Sequence, residues 1–339
     1  MAFHIGLHAT FLSQGRGCQH HHTMPNGITC SSVACAGAVQ QAYATCSITG
    51  QPAAALQMVI HPGGTAAFAV DLLQQDGSLC IATCVAANSG RPAGGCSHAA
   101  GTSIVRQKVH AGHRTQEEDM VSNWLVTHAG ANSDGWSALF SGTICKAWGM
   151  QEPLAGSTKT VQGVDYSADH LLAADMYSDA WAVQGCRLSR KVAGTSPSYD
   201  PAQQYPTTLI FAAGPNANPR AASSSCRRTY SARANTSYAF FKEGVAAAVR
   251  TSLASAALHK CNVVLLARFS GGLYAGPHEA TLRREFPALV QGVLHEGVGP
   301  NGEVCGSYFL QVICVDLPAA AQKRAPPAQP SAGPSKRHK

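Results

Sequence analysis

The sequence predicts an α/β layer fold. In its second half, short apolar runs alternate with segments whose apolar residues recur at helical spacing. The runs are apolar throughout, as in parallel strands buried on both faces. Glycine and proline stand at the ends of the runs, where strands pass into loops.

In chain order, the first 75 residues are the hardest to read. Residues 58–60 and 67–70 are strand candidates and 34–45 a helix candidate. Residues 79–87 are apolar enough for a buried strand, and Cys80 and Cys84, four apart, fall on one face of it, an arrangement expected from packing. Residues 130–167 are polar and glycine-rich, with few periodic apolar positions, and read as a long excursion from the core. The run 208–213 suits a strand ended by Gly214-Pro215-Asn216. Between Tyr238 and His259, Phe241, Val245, Val249, Leu253 and Ala256 recur at helical spacing. A strand over 262–269 leads into Ser270-Gly271-Gly272, and a second helix follows Gly276-Pro277 to about Leu294, with Pro277 in its first turn. Residues 308–315 close the series as a strand, and no internal repeat is present. In such sheets ligands collect where strands pass into helices, which singles out the loops after Ala87, Ala213 and Phe269.

Composition narrows the function. The 339 residues are 45% hydrophobic, sufficient for a large core, while only 7% are aromatic, a poor basis for stacking nucleic-acid bases. Five of the 25 Lys and Arg follow Asp316 and no acid does, so the body holds 20 basic against 18 acidic residues. That balance speaks against a groove tracking phosphates by bulk charge, so direct nucleic-acid binding by the body is not expected, and bound phosphate has to be held by backbone N–H groups. Thirteen cysteines without a readable signal peptide or membrane-length apolar run point to free thiols in an intracellular compartment. The chain has neither a phosphate-binding Gly-x-x-x-x-Gly-Lys-Ser/Thr loop nor a Gly-x-Ser-x-Gly nucleophile elbow. His20-His21-His22 with Cys18, Cys30 and Cys35 matches no zinc-finger spacing, so no metal is expected there.

Two stretches carry chemistry. Residues 88–124 combine Asn88 at a strand end, the pair Gly94-Gly95, and Gln116-Glu117-Glu118-Asp119 ahead of an apolar segment. Acids at a helix start are common, because they oppose the positive end of its dipole; three together in a chain with 13% charged residues, beside a glycine-rich loop, suggest more. The second stretch, 268–277, is a glycine-rich turn from strand to helix, where backbone approaches a ligand closely and N–H groups meet an anion.

Together these pieces resemble the microbial-type poly(ADP-ribose) glycohydrolases, which are macro domains. Asn88, Gly94-Gly95 and Gly112-His113-Arg114-Thr115-Gln116-Glu117-Glu118 are similar to that family's Asn, Gly-Gly-Gly and Gly-Ala-Arg-Ala-Gln-Glu-Glu. Residues 176–183 are similar to its Tyr-Ser-Pro-Asp-Val-x-Val-Phe, 212–217 to its Ala-Ala-Pro-Asn, and 264–276 to its Leu-Val-Leu-Gly-Ala-x-Gly-Cys-Gly-x-Phe-Gly loop. The blocks run in the same order over roughly 78–316. Two features depart from the pattern: Cys96 replaces the third glycine, and nineteen residues separate Cys96 from Gln116 where the family has a handful.

The resemblance implies a three-layer mixed sheet with helices on both faces, and ADP-ribose or its polymer on modified proteins as ligand, with no cofactor. It implies that Ser270, Gly271, Gly272, Leu273, Tyr274 and Gly276 cradle the diphosphate, with Gly94, Gly95, Gln116 and Asn216 also lining the ligand. Asn88 and Glu117 are then expected to hold the distal ribose, and Glu118 to be the general acid at the ribose–ribose O-glycosidic bond. Such cleavage passes through an oxocarbenium-like state in which a carboxylic acid protonates the leaving oxygen. Adjacent helical residues point about 100° apart, so both carboxylates can serve one ligand only from a loop or first turn. A reader that binds ADP-ribose without cleaving it is the alternative, favoured by Cys96 and the added residues. The expected organisation is an N-terminal extension over 1–75 packed on the domain, the domain itself over 76–317, and a disordered basic tail over 318–339. In that tail, Lys323-Arg324 and Lys336-Arg337-His338-Lys339 are spaced like a two-part nuclear import signal, or serve solubility alone, leaving cytoplasm and nucleus both open.

Overall fold

The computed structural model describes residues 19–23, 29–33, 39, 42–86, 124–128, 158–161, 164–167, 180–190, 203–212, 214–218 and 225–316. Its strands are β1 (Gln19–Thr23), β2 (Thr29–Val33), β3 (Leu56–Ile60), β4 (Ile81–Ala86), β5 (Trp124–His128), β6 (Thr158–Val161), β7 (Val164–Ser167), β8 (Ala180–Arg190), β9 (Tyr205–Ala212), β10 (Val263–Leu266) and β11 (Gln311–Asp316). The helices are α1 (Gly64–Gln75), α2 (Ser225–Thr236), α3 (Tyr238–Leu258) and α4 (Glu279–Leu294).

Among the described residues, nine strands form one mixed sheet in the order β1-β2-β8-β9-β4-β10-β11-β3, with β5 paired to β8 beside that path. From β9 to β3 every pairing is parallel. The pairings of β8 with β9, β2 and β5, and of β1 with β2, are antiparallel. β6 and β7 pair separately. The first 75 residues thus supply β1, β2, β3 and α1 to the same structure.

Alternation along the central strands separates two cores. Ala82, Cys84, Val264, Leu266, Val312 and Cys314 face α3 and α4, packing with Phe241, Val245, Val249, Leu253, Leu282 and Phe286. Ile81, Val263, Leu265, Ile313 and Val315 face α1, packing with Ala69 and Leu73. The result is three layers, a mixed sheet between helices, as expected. α3 is capped by Ser237, whose hydroxyl accepts from Phe240 N, and its alanines let the helix lie close on the sheet.

Several boundaries differ from the sequence reading. Residues 67–70 are helical, inside α1, where Ala66, Ala69, Val70 and Leu73 are the buried stripe; a four-residue apolar run satisfies strand and helix equally, and the longer spacing decides for helix. The strand expected over 308–315 begins at Gln311, after a 3₁₀ turn over Cys305–Tyr308. Pro277 lies in a 3₁₀ turn ahead of α4 rather than in the helix. Cys84 is buried as expected, whereas Cys80, one residue before β4, is exposed.

Candidate functional site

β4 lies between β9 and β10, and all three run in one direction. Their carboxyl ends therefore share an edge, with Ala86 at the end of β4 between the loops that leave β9 and β10. Each loop leads on in the chain to a helix, α2 after β9 and α4 after β10.

The first loop, 214–218, is fixed by its own asparagine. Asn216 is buried and its Oδ1 accepts from Asn218 N at 2.8 Å, closing an Asx turn. On α2, Asn235 Nδ2 donates to Ala217 O at 2.8 Å. Asn216 thus shapes its own loop, whatever it contributes to a ligand.

The second loop opens with a four-residue turn in which Gly271 N donates to Arg268 O at 3.0 Å. Ser270 occupies its third position with φ +56°, a region that favours glycine. Ala275 N then donates to Gly272 O at 2.9 Å, within a 3₁₀ segment over Leu273–His278. Two amides are committed to closing turns, and Gly272 between them is exposed, with no atom within 4 Å of where a Cβ would stand. Gly276 has φ +53°, and a Cβ there would lie 2.6 Å from Ala217 O.

The two loops are joined directly. Ser270 Oγ donates to Pro215 O at 2.6 Å, a buried bond, and Ala217 N donates to Tyr274 O at 2.7 Å. Gly214 makes this approach feasible, since a Cβ there would stand 2.3 Å from Ser270 Oγ. Beneath the turn, the Arg268 side chain folds against the Gly271 backbone and pairs with Asp316 at the end of β11. Burial, and then the neighbouring Arg283 cation, lower the Arg268 pKa from its usual value. Its Nε is buried with no hydrogen-bond partner among the described residues. At the far end of the loop His278 donates from Nε2 to Ala234 O at 2.8 Å, with its ring against Tyr238 and Phe241.

Of the residues singled out in the sequence, Asn216, Ser270, Gly271, Gly272, Leu273, Tyr274 and Gly276 come together on these two joined loops. Asn88, Gly94, Gly95, Gln116, Glu117 and Glu118 lie outside the described residues, as does Cys96. Sequence reasoning did not find three contributors: Gly214 as the point of loop contact, Asn235 as a prop from α2, and the Arg268–Asp316 pair. A charge at the end of an apolar run was a visible signal for Arg268; nothing local marks Asn235.

No protein-family model matches the chain. A search of curated proteins likewise finds no match. Among solved structures, the chain is similar to poly(ADP-ribose) glycohydrolases. One, from Deinococcus radiodurans in complex with ADP-ribose, is 14% identical with a TM-score of 0.46, covering 91% of each chain. Another, from Thermomonospora curvata bound to the inhibitor ADP-HPD, is 16% identical with a TM-score of 0.43, covering 95% of each chain. No helix among the described residues is long and apolar enough to cross a membrane.

Proposed function

We propose that the chain is a glycosidase of the poly(ADP-ribose) glycohydrolase type, cleaving ribose–ribose O-glycosidic bonds in ADP-ribose polymers on modified proteins. The observation that carries this is the joining of loops 214–218 and 268–276 through Ser270 and Ala217 at the carboxyl edge of parallel strands. A paired βα-loop cradle whose outer turn is an exposed glycine suits a pyrophosphate, which backbone amides bind without bulk positive charge. The site residues complete the reading. Asn88 follows Ala86 by two residues in the chain, so the segment that leaves β4 between the loops is the one that carries the Asn, Gly-Gly and Gln116-Glu117-Glu118 motifs.

In this mechanism, 270–276 and Asn216 hold the diphosphate side, and Asn88 with Glu117 holds the distal ribose. Glu118 protonates the glycosidic oxygen as water arrives at the anomeric carbon. In this reading the catalytic unit is the one sheet with its helices, to which 19–75 contribute β1, β2, β3 and α1, with 318–339 as a basic tail, in an intracellular setting, cytoplasm or nucleus.

The test is Glu118→Gln. ADP-ribose affinity should stay within about twofold while release of ADP-ribose from polymer falls on the order of 10²–10⁴-fold, the usual worth of a positioned acid. Unchanged turnover removes Glu118 from the role. Cys96 and the nineteen residues ahead of Gln116 favour a second reading, a binder without turnover. Saturable ADP-ribose binding by the wild-type chain with no product selects that reading.

A further inference from the structure

At the opposite edge of the sheet, where β4 and β10 begin, two cysteines meet. Cys80 immediately precedes β4 and Cys261 stands two residues ahead of β10. The backbone holds both in place. Asn262 N and Val263 N donate to Cys80 O at 2.9 and 3.2 Å, and Cys80 N donates to Asn262 Oδ1 at 3.0 Å. Cys261 follows α3 in a Schellman close: Cys261 N donates to Ala256 O at 3.0 Å and Lys260 N to Ala257 O at 2.9 Å, with Lys260 at φ +57°. The β4–β10 register pairs Ile81 with Val263, which sets Cys80 opposite Asn262 and one step diagonally from Cys261. Cys261 packs in the core that Ala82 and Cys84 face, and Cys80 shares their parity, so both thiols belong to one side of the sheet. One strand across and one residue along, about 4.8 and about 3.3 Å, brings their backbones roughly 6 Å apart, within the spacing that a disulfide bridges.

The two thiols differ in access. Cys80 is exposed and Cys261 is buried. The Cys261 side chain pulls Cys80 down to about 6, against the opposing effect of partial burial, while Cys261 Sγ itself donates to His259 O at 3.8 Å. The Cys80 side chain, and then burial, push Cys261 well above the ordinary thiol range. The exposed Cys80 sulfur is therefore the one that gives up its proton more readily.

We propose that Cys80 and Cys261 form a peroxide-sensitive dithiol that closes to a disulfide across the amino edge of the sheet. The Cys80 thiolate attacks hydrogen peroxide, forming an S–O bond as the O–O bond breaks, and the departing hydroxide takes a proton to leave as water. The Cys261 sulfur, losing its proton, then attacks the Cys80 sulfenic sulfur. The S–S bond forms as the S–O bond breaks, and the oxygen leaves as a second water. Two thiols are oxidised by two electrons in all, and one peroxide is reduced. The bridge ties β4 to β10 far along the chain, and breaking it requires a reductant of the dithiol class.

The full-length chain is treated with hydrogen peroxide, alkylated, and mapped by mass spectrometry without reduction. The expected result is a cross-linked peptide pair containing Cys80 and Cys261 and the loss of two alkylatable thiols, both restored by dithiothreitol. Cys261→Ala should leave Cys80 as a sulfenic acid trapped by dimedone, without a cross-link. In that variant the pH of half-maximal Cys80 alkylation should rise from about 6 towards the ordinary thiol value near 8.5. Cys80→Ser, at an exposed position, should abolish the cross-link with the fold unchanged. A wild-type Cys80 that stays fully alkylatable after peroxide overturns the proposal, as does a Cys80 cross-link to any other cysteine or to a second chain.

Discussion

Ser270 is the sharpest test of the loop junction, because one residue both carries a strained backbone and makes the joining bond. Ser270→Ala removes the 2.6 Å bond to Pro215 O and leaves a buried carbonyl without that donor. Such a loss costs about 1–3 kcal/mol. Alanine also keeps a Cβ at φ +56°. Ser270→Gly loses the same bond but relieves roughly 1–2 kcal/mol of left-handed backbone penalty. Against that, the looser unfolded chain takes back about 0.4–1 kcal/mol. Glycine should therefore be the milder replacement, by about 1 kcal/mol, although it removes more atoms. Urea unfolding of the three proteins reads this as shifted midpoints at constant m; in thermal melts, about 1 kcal/mol corresponds to roughly 2–4 °C in a protein approaching this size. A glycine variant no more stable than the alanine variant refutes the positive φ. An alanine variant equal to wild type refutes the hydroxyl's hold on Pro215.

Two further outcomes follow from the same region. Gly276→Ala places a Cβ 2.6 Å from Ala217 O at φ +53°, so it should cost about 2 kcal/mol or more. It should also weaken ADP-ribose binding at least tenfold by calorimetry; unchanged affinity in a folded variant takes the loop out of the ligand site. Glu285 accepts from Lys242 Nζ at 3.0 Å and Tyr238 OH at 3.1 Å, and these bonds, Lys242 first, hold its carboxyl below the usual glutamate range. A depressed folded-state pKa contributes stability above the unfolded value, near 4.3 for glutamate, and loses it as pH falls through the folded value. Glu285→Gln should accordingly show a shallower loss of melting temperature below about pH 4 than wild type, and parallel acid limbs refute the coupling.

The strands were legible where burial on both faces left no polar residue to confuse the period. Val263–Leu266 and Ile81–Ala86 are each apolar or small along almost every position, and both became central parallel strands. Tyr238–Leu258 was legible as a helix because its large residues recur on one side; that Ser237 caps it came only with the structure. Residues 67–70 were not, since four apolar residues in a row carry no period of their own. The loop 268–277 was recognisable by its glycines, yet their uses differ: Gly276 needs its backbone angle, whereas Gly271 needs the space above Arg268. Sequence patterns mark that glycine is present, not which of those constraints it answers.

Layer class, the order of the crossovers and the glycine-rich loops proposed to meet a phosphate follow from local properties: side-chain period, breaker positions and the absence of bulk charge in the body. Those are written residue by residue. That loop 214–218 meets loop 268–276, that Arg268 spends its charge on Asp316, and that Cys80 meets Cys261 depend on the lateral order β9-β4-β10-β11. Lateral order arises from many weak packing preferences summed over two helical layers, and only the assembled sheet brings Arg268 to Asp316 and Ser270 to Pro215 within bonding distance and sets Cys80 beside Cys261.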